Sequence, residues 1–475
     1  MSQDFKDIKD GRVQAIEHKD TIHPRTVKGL FRTFKTAVMV SAYAIFFLLP
    51  WLRWERPIGS QQAVHFDLVG KKFYIFDLVV HAQDIFWLSA LLFLAAVLLF
   101  FATALVGRVF CGFFCFQTLW TDAFRSIEKA IQGDRVKRIR LDKQAWDFEK
   151  IWKKGLTHFF WLLMAFWTGI TFSLYWADAP TLFKDFFSGN ANSAAYITTA
   201  TLMVTTYLAA GWIKEYVCMH ICPYARFQSV MYDRDTLATS YDYTRGESSC
   251  GRVKPIKELK ELDVRQEKGH GDCVDCGMCV QVCPTGIDIR DGAQLSCINC
   301  GLCIDACDSI MDKFGWAKGL IRFASENELE GGKTHFFKLR TYGYGVAVIG
   351  SVLFLLWSIS GNKLVDATSY QVRSPLYVTM SDGRIQNSYE IKINNKSLLP
   401  AEFKLSVTGL DDVELSTGEI KQLKVSADNS MKFLVKLRHE PKAGEDKATV
   451  IQFAIEPVDA EFKDTITIPS QFIIP

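Results

Sequence analysis

The sequence holds 475 residues, of which 49% are hydrophobic, 23% charged and 13% aromatic, with a formal net charge of +3. That length is a prior for roughly three domains of about 150 residues, and the near-neutral charge gives no reason to expect nucleic acid as a partner. So much apolar material excludes intrinsic disorder, and thirteen cysteines in a chain this long exclude a small disulfide-stapled scaffold.

Residues 1–35 form a polar tail of mixed charge without the apolar core of a signal peptide. Uncharged segments follow, near the ~20 helical residues that a hydrocarbon core about 30 Å thick requires. They are Thr36–Leu52, Ile85–Gly107, Gly155–Ala177, Ala191–Ile213 and Thr341–Gly361. The first carries Pro50 near its end, and the fourth is rich in Thr and Ala.

Basic residues set the orientation. Lys6, Lys9, Arg12, Lys19, Arg25, Lys28, Arg32 and Lys35 crowd the tail, and Arg135, Lys137, Arg138 and Arg140 crowd the loop 108–154. In contrast, Asp178–Asn190 holds a single Lys184, and the loop after the first span holds Arg53, Arg56, Lys71 and Lys72. The basic segments are therefore expected in the cytoplasm of a bacterial inner membrane. That places the N-terminus inside and the C-terminus, after five crossings, in the periplasm.

The expected domains are a tail (1–35), a four-helix membrane domain (36–213), a cytoplasmic region (214–340), a fifth span (341–361) and an outer domain (362–475). The region 214–340 holds eleven of the thirteen cysteines, and Cys111 and Cys115 lie in the loop 108–154. No cysteine falls on the outer side, as expected if the thiols are kept reduced in the cytosol. The outer domain has no Cys or Trp and repeats a period-two alternation, as in Tyr389–Ile393, Phe403–Val407 and Met431–Leu437. Turn signals at Asp382-Gly383, Asn394-Asn395 and Asp411-Asp412 separate these runs, which predicts an immunoglobulin-like antiparallel β-sandwich.

The strongest chemical signal is Cys273-Val-Asp-Cys276-Gly-Met-Cys279-Val-Gln-Val-Cys283-Pro284. A second run follows as Cys297-Ile-Asn-Cys300-Gly-Leu-Cys303-Ile-Asp-Ala-Cys307. Both have the C-x2-C-x2-C-x3-C spacing of a two-cluster ferredoxin, in which the fourth thiol serves the other cluster. The spacing assigns Cys273, Cys276, Cys279 and Cys307 to one [4Fe-4S] centre. Cys283, Cys297, Cys300 and Cys303 then hold the other, within a ferredoxin domain of residues 260–315. Gly277 and Gly301 would let backbone N–H groups approach cluster sulfur. Asp308 stands where the first run has Pro284. Zinc ribbons also use C-x2-C pairs, but they do not need three evenly spaced thiols plus a fourth, duplicated.

A subtler pair of motifs is Cys111-Gly-Phe-Phe-Cys115 after the second span and Cys218-Met-His-Ile-Cys222-Pro223 after the fourth. On continued helices these i, i+4 thiols would share a face. Their similar surroundings suggest that spans one and two are echoed by three and four. Four soft thiolates, with Met219 and His220 nearby, could hold Cu(I), cycle through a disulfide, line the approach to a cluster, or simply pack. His158 lies inside the third span, where a hydrogen bond within the bundle is the expected role and no second histidine is placed to make a bis-His haem. His65 and His81, with Asp67, Asp77 and Asp84, are weaker candidates for an outer metal ion, and Cys250 reads as a free thiol. The chain shows no P-loop and no dinucleotide-binding fingerprint, so a direct nicotinamide donor is not expected.

The combined pattern resembles the CcoG/FixG/RdxA family of cytochrome c oxidase accessory proteins. Its most distinctive residues here are the two C-x3-C motifs and the double ferredoxin run. Phe116 after Cys115 departs from the Cys-Pro ending of the second pair. The resemblance implies a multi-pass α-helical membrane protein with about five transmembrane helices, a two-cluster ferredoxin-like domain and an outer immunoglobulin-like sandwich. It also implies reduction of Cu(II) to Cu(I) for assembly of cbb3-type oxidase, with Cys111, Cys115, Cys218 and Cys222 as redox thiols. Expected partners are membrane lipid, copper ions, oxidase-assembly or copper-delivery proteins and an electron donor, with room for a homo-oligomer. Two other readings fit the motifs: an electron relay from a quinol or soluble donor to a partner reductase, and an assembly scaffold whose clusters sense redox state.

Overall fold

The computed structural model describes residues 22–475 apart from 82–83, 255–260, 362–363, 398, 419–422, 442–446 and 459–464. Lys6, Lys9, Arg12 and Lys19 lie outside the described residues. The chain divides into two compact units, residues up to Trp54 with Gln62–Leu355, and Glu55–Gln61 with Leu356–Pro475.

The first unit begins with α1 (Leu30–Leu48), whose helical course ends in a tight turn at Leu49–Trp51 around Pro50. A small antiparallel sheet follows, of β1 (Val64–Asp67), β2 (Lys72–Ile75) and β3 (Leu78–His81). Among the described residues no three of the outer metal candidates gather, although His81 Nδ1 lies 3.8 Å from Asp84 Oδ2. His65 stacks on Tyr74, Asp67 accepts from the Gly70 N–H at 2.8 Å, and Asp77 accepts from Trp54 Nε1 at 2.9 Å.

The chain then forms α2 (Ile85–Val106), α3 (Val109–Phe113), α4 (Phe116–Gln132), α5 (Arg135–Lys143) and α6 (Phe148–Leu174). Apolar residues of α4 recur with helical spacing at Leu119, Trp120, Ala123 and Phe124, and all four are buried. Phe124 stacks on Trp161 of α6 with ring centroids 5.4 Å apart, while Trp120 Nε1 donates to Thr168 Oγ1 at 2.9 Å.

After α7 (Ala179–Ser188) comes α8 (Ser193–Thr206), which lies against α6 at a point of backbone contact. A Cβ on Gly169 would stand 2.5 Å from the Thr199 carbonyl oxygen. Among the described residues four helices are long and apolar enough to cross a membrane: Leu30–Trp51, Ile85–Val106, Phe148–Leu174 and Leu339–Ser360. The fourth expected span, Ala191–Ile213, is not one of them. Its α-helix stops at Thr206 and the chain continues as π-helical turns over Tyr207–Ile213. The reason is tertiary. Gln117 of α4 donates to the Ala209 and Lys214 carbonyls at 2.7 and 3.0 Å, so wider turns keep their carbonyls satisfied. His158 is hydrogen-bonded within the bundle, its Nδ1 3.0 Å from Tyr207 Oη.

The cysteine-rich segment follows α9 (Pro223–Met231) and is closed by a two-stranded clasp. Strand β4 (Ala238–Tyr241) pairs antiparallel with β5 (Ile321–Ala324), and between them lie the short α10 (Met278–Val282) and the longer α11 (Leu302–Phe314). Helix α12 (Leu339–Ser360) ends the segment.

The second unit is the expected β-sandwich. Its strands are β6 (Val365–Gln371), β7 (Val378–Thr379), β8 (Ile385–Asn395), β9 (Ala401–Thr408), β10 (Glu414–Ser416), β11 (Leu423–Val425), β12 (Asn429–His439), β13 (Ala448–Pro457) and β14 (Ile466–Ile473). One sheet runs β10-β12-β8-β6 with β7 on β8, and the other runs β11-β9-β13-β14. Alternate residues of β8, among them Tyr389, Ile391 and Ile393, are fully buried against Phe453 and Ile455 of the facing sheet. Asp382-Gly383 makes the turn into β8, as expected. Asn394-Asn395 does not make a turn: both residues end β8, and Asn395 Nδ2 donates to the Leu399 carbonyl at 2.7 Å.

The α6–α8 contact yields a test. Gly169→Val must force the two backbones apart, at about 1–3 kcal/mol, and should lower the thermal midpoint of the full chain in detergent. Gly155→Val, where a Cβ meets nothing within 4 Å, should leave it unchanged. Equal midpoints for the two variants would refute this packing.

Candidate functional site

The two cysteine runs fold as matching loops. Asp275 and Asn299, which precede the second thiol of each run, adopt left-handed φ values of 47° and 53°. Gly277 and Gly301, which follow it, have φ values of 65° and 69°. Only glycine takes this conformation without strain, while Asp and Asn are the side chains that tolerate it best. Gly301 is needed twice over, since a Cβ there would lie 2.6 Å from the Phe31 ring. The helices then differ. Pro284 keeps Cys283 extended and stops α10, whereas Asp308 lets α11 run on to Phe314 and accepts from the Gly319 N–H at 3.0 Å.

The thiols gather in two sets, each around its own small cavity. Cys273, Cys276, Cys279 and Cys307 line one. Cys283, Cys297, Cys300 and Cys303 line the other, with Cys279 at its edge. The fourth cysteine of each run thus faces the three thiols of the other run, the crossed arrangement that the spacing predicts. Among the described residues no three His, Cys, Asp or Glu side chains are grouped to hold a single metal ion. Sulfurs ringed around a cavity instead suit a larger inorganic core.

Burial pushes Cys279 and Cys297 up to about 12, and Cys303 and Cys307 also lie well above the ordinary thiol range. Without a cationic core these thiols stay protonated, so loading the site must release protons. The cations beside the two sets differ. Arg290, beside Cys279, is held by Asp275 and Asp288 at 2.6 Å each. Lys35 acts on Cys300 against the upward push of burial, and its nearest carboxylate, Asp122, is 3.9 Å away. Counted in the sequence as a topology charge, Lys35 is instead a buried residue of α1, 2% exposed.

The two C-x3-C motifs depart from the continuous helical face expected of them. Cys111 lies in α3, but Cys115 is extended and begins α4 as its N-cap. Cys218 lies in the π-helical turn Val217–Ile221, and Cys222 is extended before α9. Pro223 imposes the second break, because a proline disfavours helical backbone in the residue before it and fits the first position of a new helix. The shared pattern of helical turn, extended second thiol and new helix supports the sequence echo.

All four thiols are close enough to influence one another. Burial pushes Cys111 up to about 11, with Arg108 opposing and Cys115 and Cys222 adding to it. Burial pushes Cys218 up to about 12, reinforced by Cys115 and Cys111. Cys111 Sγ donates to Gln228 Oε1 at 3.2 Å, and Arg108 Nε donates to the same oxygen at 3.1 Å. His220 is exposed and stacks on Tyr216, while Met219 is half-buried. Cys250 is an exposed free thiol.

The thiol pairs abut the second ferredoxin loop directly. A Cβ on Gly112 would stand 2.7 Å from the Ile298 carbonyl oxygen and 3.0 Å from Cys300 Cα. Arg108 donates to the Leu295 and Cys297 carbonyls. Cys218 shares a cavity with Pro284, Thr285 and Ile298, which also wall the second thiol set.

From the other side, Asp305 of α11 accepts from the backbone N–H groups of Phe31 and Arg32 at 3.2 and 2.7 Å. It caps α1, a helix whose own N-cap, Gly29, has no side chain to do so. Sequence reading missed Arg108, Gln228 and Asp305, whose partners are all distant in the chain. Asp305→Ala should cost roughly 0.5–2 kcal/mol as a lost cap and speed amide exchange at Phe31 and Arg32. Unchanged protection at those amides would rule out the cap.

A family profile described as a 4Fe-4S dicluster domain matches residues 213–326, and one described as an IG-like fold at the C-terminal of FixG matches residues 355–475. The chain is 40% identical over 409 residues to Protein RdxB of Cereibacter sphaeroides, covering 84% of each chain. It is 39% identical over 438 residues to Protein RdxA of the same organism, covering 90% of this chain and 91% of that one. Nitrogen fixation protein FixG of Rhizobium meliloti is 36% identical over 425 residues, covering 82% and 79%. Among solved structures, a FixG-related protein from Vibrio parahaemolyticus matches at 24% identity and a TM-score of 0.21, over 24% of this chain and 97% of its own.

Proposed function

The chain belongs to the FixG/RdxA family of iron–sulfur electron-transfer proteins, and from that premise we propose that it is a membrane oxidoreductase that reduces Cu(II) to Cu(I). In this reading Cys273, Cys276, Cys279 and Cys307 hold one [4Fe-4S] cluster, and Cys283, Cys297, Cys300 and Cys303 hold a second. When bound, the clusters supply one-electron transfer. Copper is the substrate, and the half-reaction takes one electron: Cu(II) plus an electron gives Cu(I).

Cys218 and Cys222, with Cys111 and Cys115 near them, take the ion as soft ligands. Thiolate sulfur stabilises Cu(I) over Cu(II), so the same groups bind the substrate and favour its reduction. Because burial holds Cys111 and Cys218 protonated at neutral pH, capture of the ion displaces protons from sulfur. The observation that carries this reading is the backbone contact of Gly112, between Cys111 and Cys115, with the loop that bears Cys297 and Cys300. Cys276, exposed on the first thiol set, offers an electron donor a way in.

In this proposal the N-terminus and the cysteine-rich segment are cytoplasmic and the β-sandwich is periplasmic, as the basic loops favour. The reduced ion goes to oxidase-assembly or copper-delivery proteins for cbb3-type cytochrome c oxidase, the role that the family resemblance implies.

Two variants test the reading. Cys218→Ala with Cys222→Ala should abolish cupric reduction by the anaerobically reduced protein while both cluster signals persist in EPR. Undiminished reduction would exclude these thiols. Lys35→Met should lower the midpoint potential of the cluster beside Cys300 by tens of millivolts, the order expected of one charge within about 10 Å at an effective dielectric near 20. The other potential should stay in place, and equal shifts in both would refute the asymmetry.

A further inference from the structure

A cavity of about 270 Å³ opens between residues 24–27, α1, α4, α5 and the end of α10. Six cations line it, namely Arg25, Arg32, Lys35, Arg125, Lys129 and Arg138, and the one carboxylate on its wall is Asp122. Neighbouring acids neutralise only part of this charge. Arg32 pairs with Asp122 at 2.9 Å, Arg125 with Glu215 at 2.7 Å and Arg138 with Glu128 at 3.0 Å. Glu128 is shared further with Lys214 at 2.5 Å. With Lys214 counted on one side, and on the other Asp134, which faces Lys129 and accepts from Thr26 Oγ1 at 3.4 Å, seven cations meet four carboxylates and leave an excess of three positive charges.

Some donors are also left over. The Nε–H groups of Arg125 and Arg138 are buried with no hydrogen-bond partner among the described residues. The Arg138 side chain is 3% exposed. Neither Nε–H is open to the cavity, so what these buried guanidinium groups offer an anion there is their positive charge. Phosphate suits them best. It carries several acceptor oxygens on one centre, matches the guanidinium fork, and balances more than one charge.

We propose that this cavity binds a phosphate-bearing anion, held by Arg25, Lys35, Arg125 and Lys129. At about 270 Å³ the cavity is larger than a bare ion needs and approaches the size of a small-molecule site. Arg32 and Lys35 lie in the first turns of a helix able to span a membrane. The phosphate therefore belongs either to an acidic lipid headgroup at the bilayer face or to a soluble phosphorylated molecule. Pro284 and Leu302 wall both this cavity and the second thiol set, so the ligand sits beside the redox site.

The test uses the full chain in phosphatidylcholine nanodiscs, with inorganic pyrophosphate titrated by calorimetry. A parallel set of nanodiscs contains cardiolipin, and retained lipid is read by native mass spectrometry. Binding of pyrophosphate in plain nanodiscs assigns the site to soluble phosphates. Retained cardiolipin that blocks pyrophosphate assigns it to lipid. In the arm that binds, Arg25→Gln with Lys129→Gln should weaken binding roughly tenfold or more, since each removes a charge-assisted contact. Both side chains are exposed, so the fold should survive their loss. Lys184→Gln, outside the cavity, should change nothing. No binding in either arm, or equal binding by the double variant, overturns the proposal.

Discussion

The first unit depends on one close approach, the seating of the Ile298–Cys300 loop on the backbone of Gly112. Any side chain at that glycine would stand between the two backbones and push the cysteine loop away. The contact is fixed from three directions. Arg108 holds the Leu295 and Cys297 carbonyls, Asn299 reaches the Val106 carbonyl and Tyr232 Oη at 3.4 Å each, and Asp305 caps α1 from the far side. All but the Asn299–Tyr232 bond engage backbone groups, which fixes position more tightly than exposed ion pairs would. The ferredoxin-like segment is therefore part of the same compact body as the apolar helices, and the C-x3-C thiols meet it at a set geometry.

The breaks in the helices at Cys115 and Cys222 belong to this arrangement. On an unbroken helix a C-x3-C pair would point along one side of a rod, a turn apart. With the second cysteine extended at the start of a new helix, the chain turns and the four sulfurs come within mutual electrostatic reach. The π-helical turns before Cys218 serve the same end, since they rotate the register between Thr206 and Cys222. Gln117 makes those turns affordable by taking up two carbonyls.

What could be read from the sequence was what local chemistry dictates. Thiols that share one site through a tight loop must lie a few residues apart, so the spacing of Cys273–Cys307 anticipated which cysteines line each cavity. Uncharged runs reported four apolar helices, and period-two alternation reported the sandwich strands. What could not be read depends on partners far along the chain. Ala191–Ile213 has the composition of a span, but Gln117 decides how it winds. Asn394-Asn395 has the composition of a turn, but Asn395 meets the acceptors that keep it in a strand, the carbonyls of Leu399 and Val425. Lys35 looked like one more charge of a basic tail because nothing local says that the residue faces Asp122 and Cys300.

Lys35 also explains why so many charges are tolerated at this seam. Burying ion pairs is rarely stabilising in itself, because desolvation consumes most of the Coulomb gain. Here Lys35, Asp122, Arg125, Glu128, Arg138 and Lys214 are all largely buried and cations outnumber acids. Burial alone would keep Asp122 and Glu128 protonated, yet the surrounding cations hold both below the usual carboxylate range. An excess of positive charge inside a protein persists where negative charge arrives to meet it. At the second thiol set Lys35 and Arg108 are the cations that oppose the burial penalty on Cys300 and Cys297. The seam thus keeps positive charge beside the second thiol set.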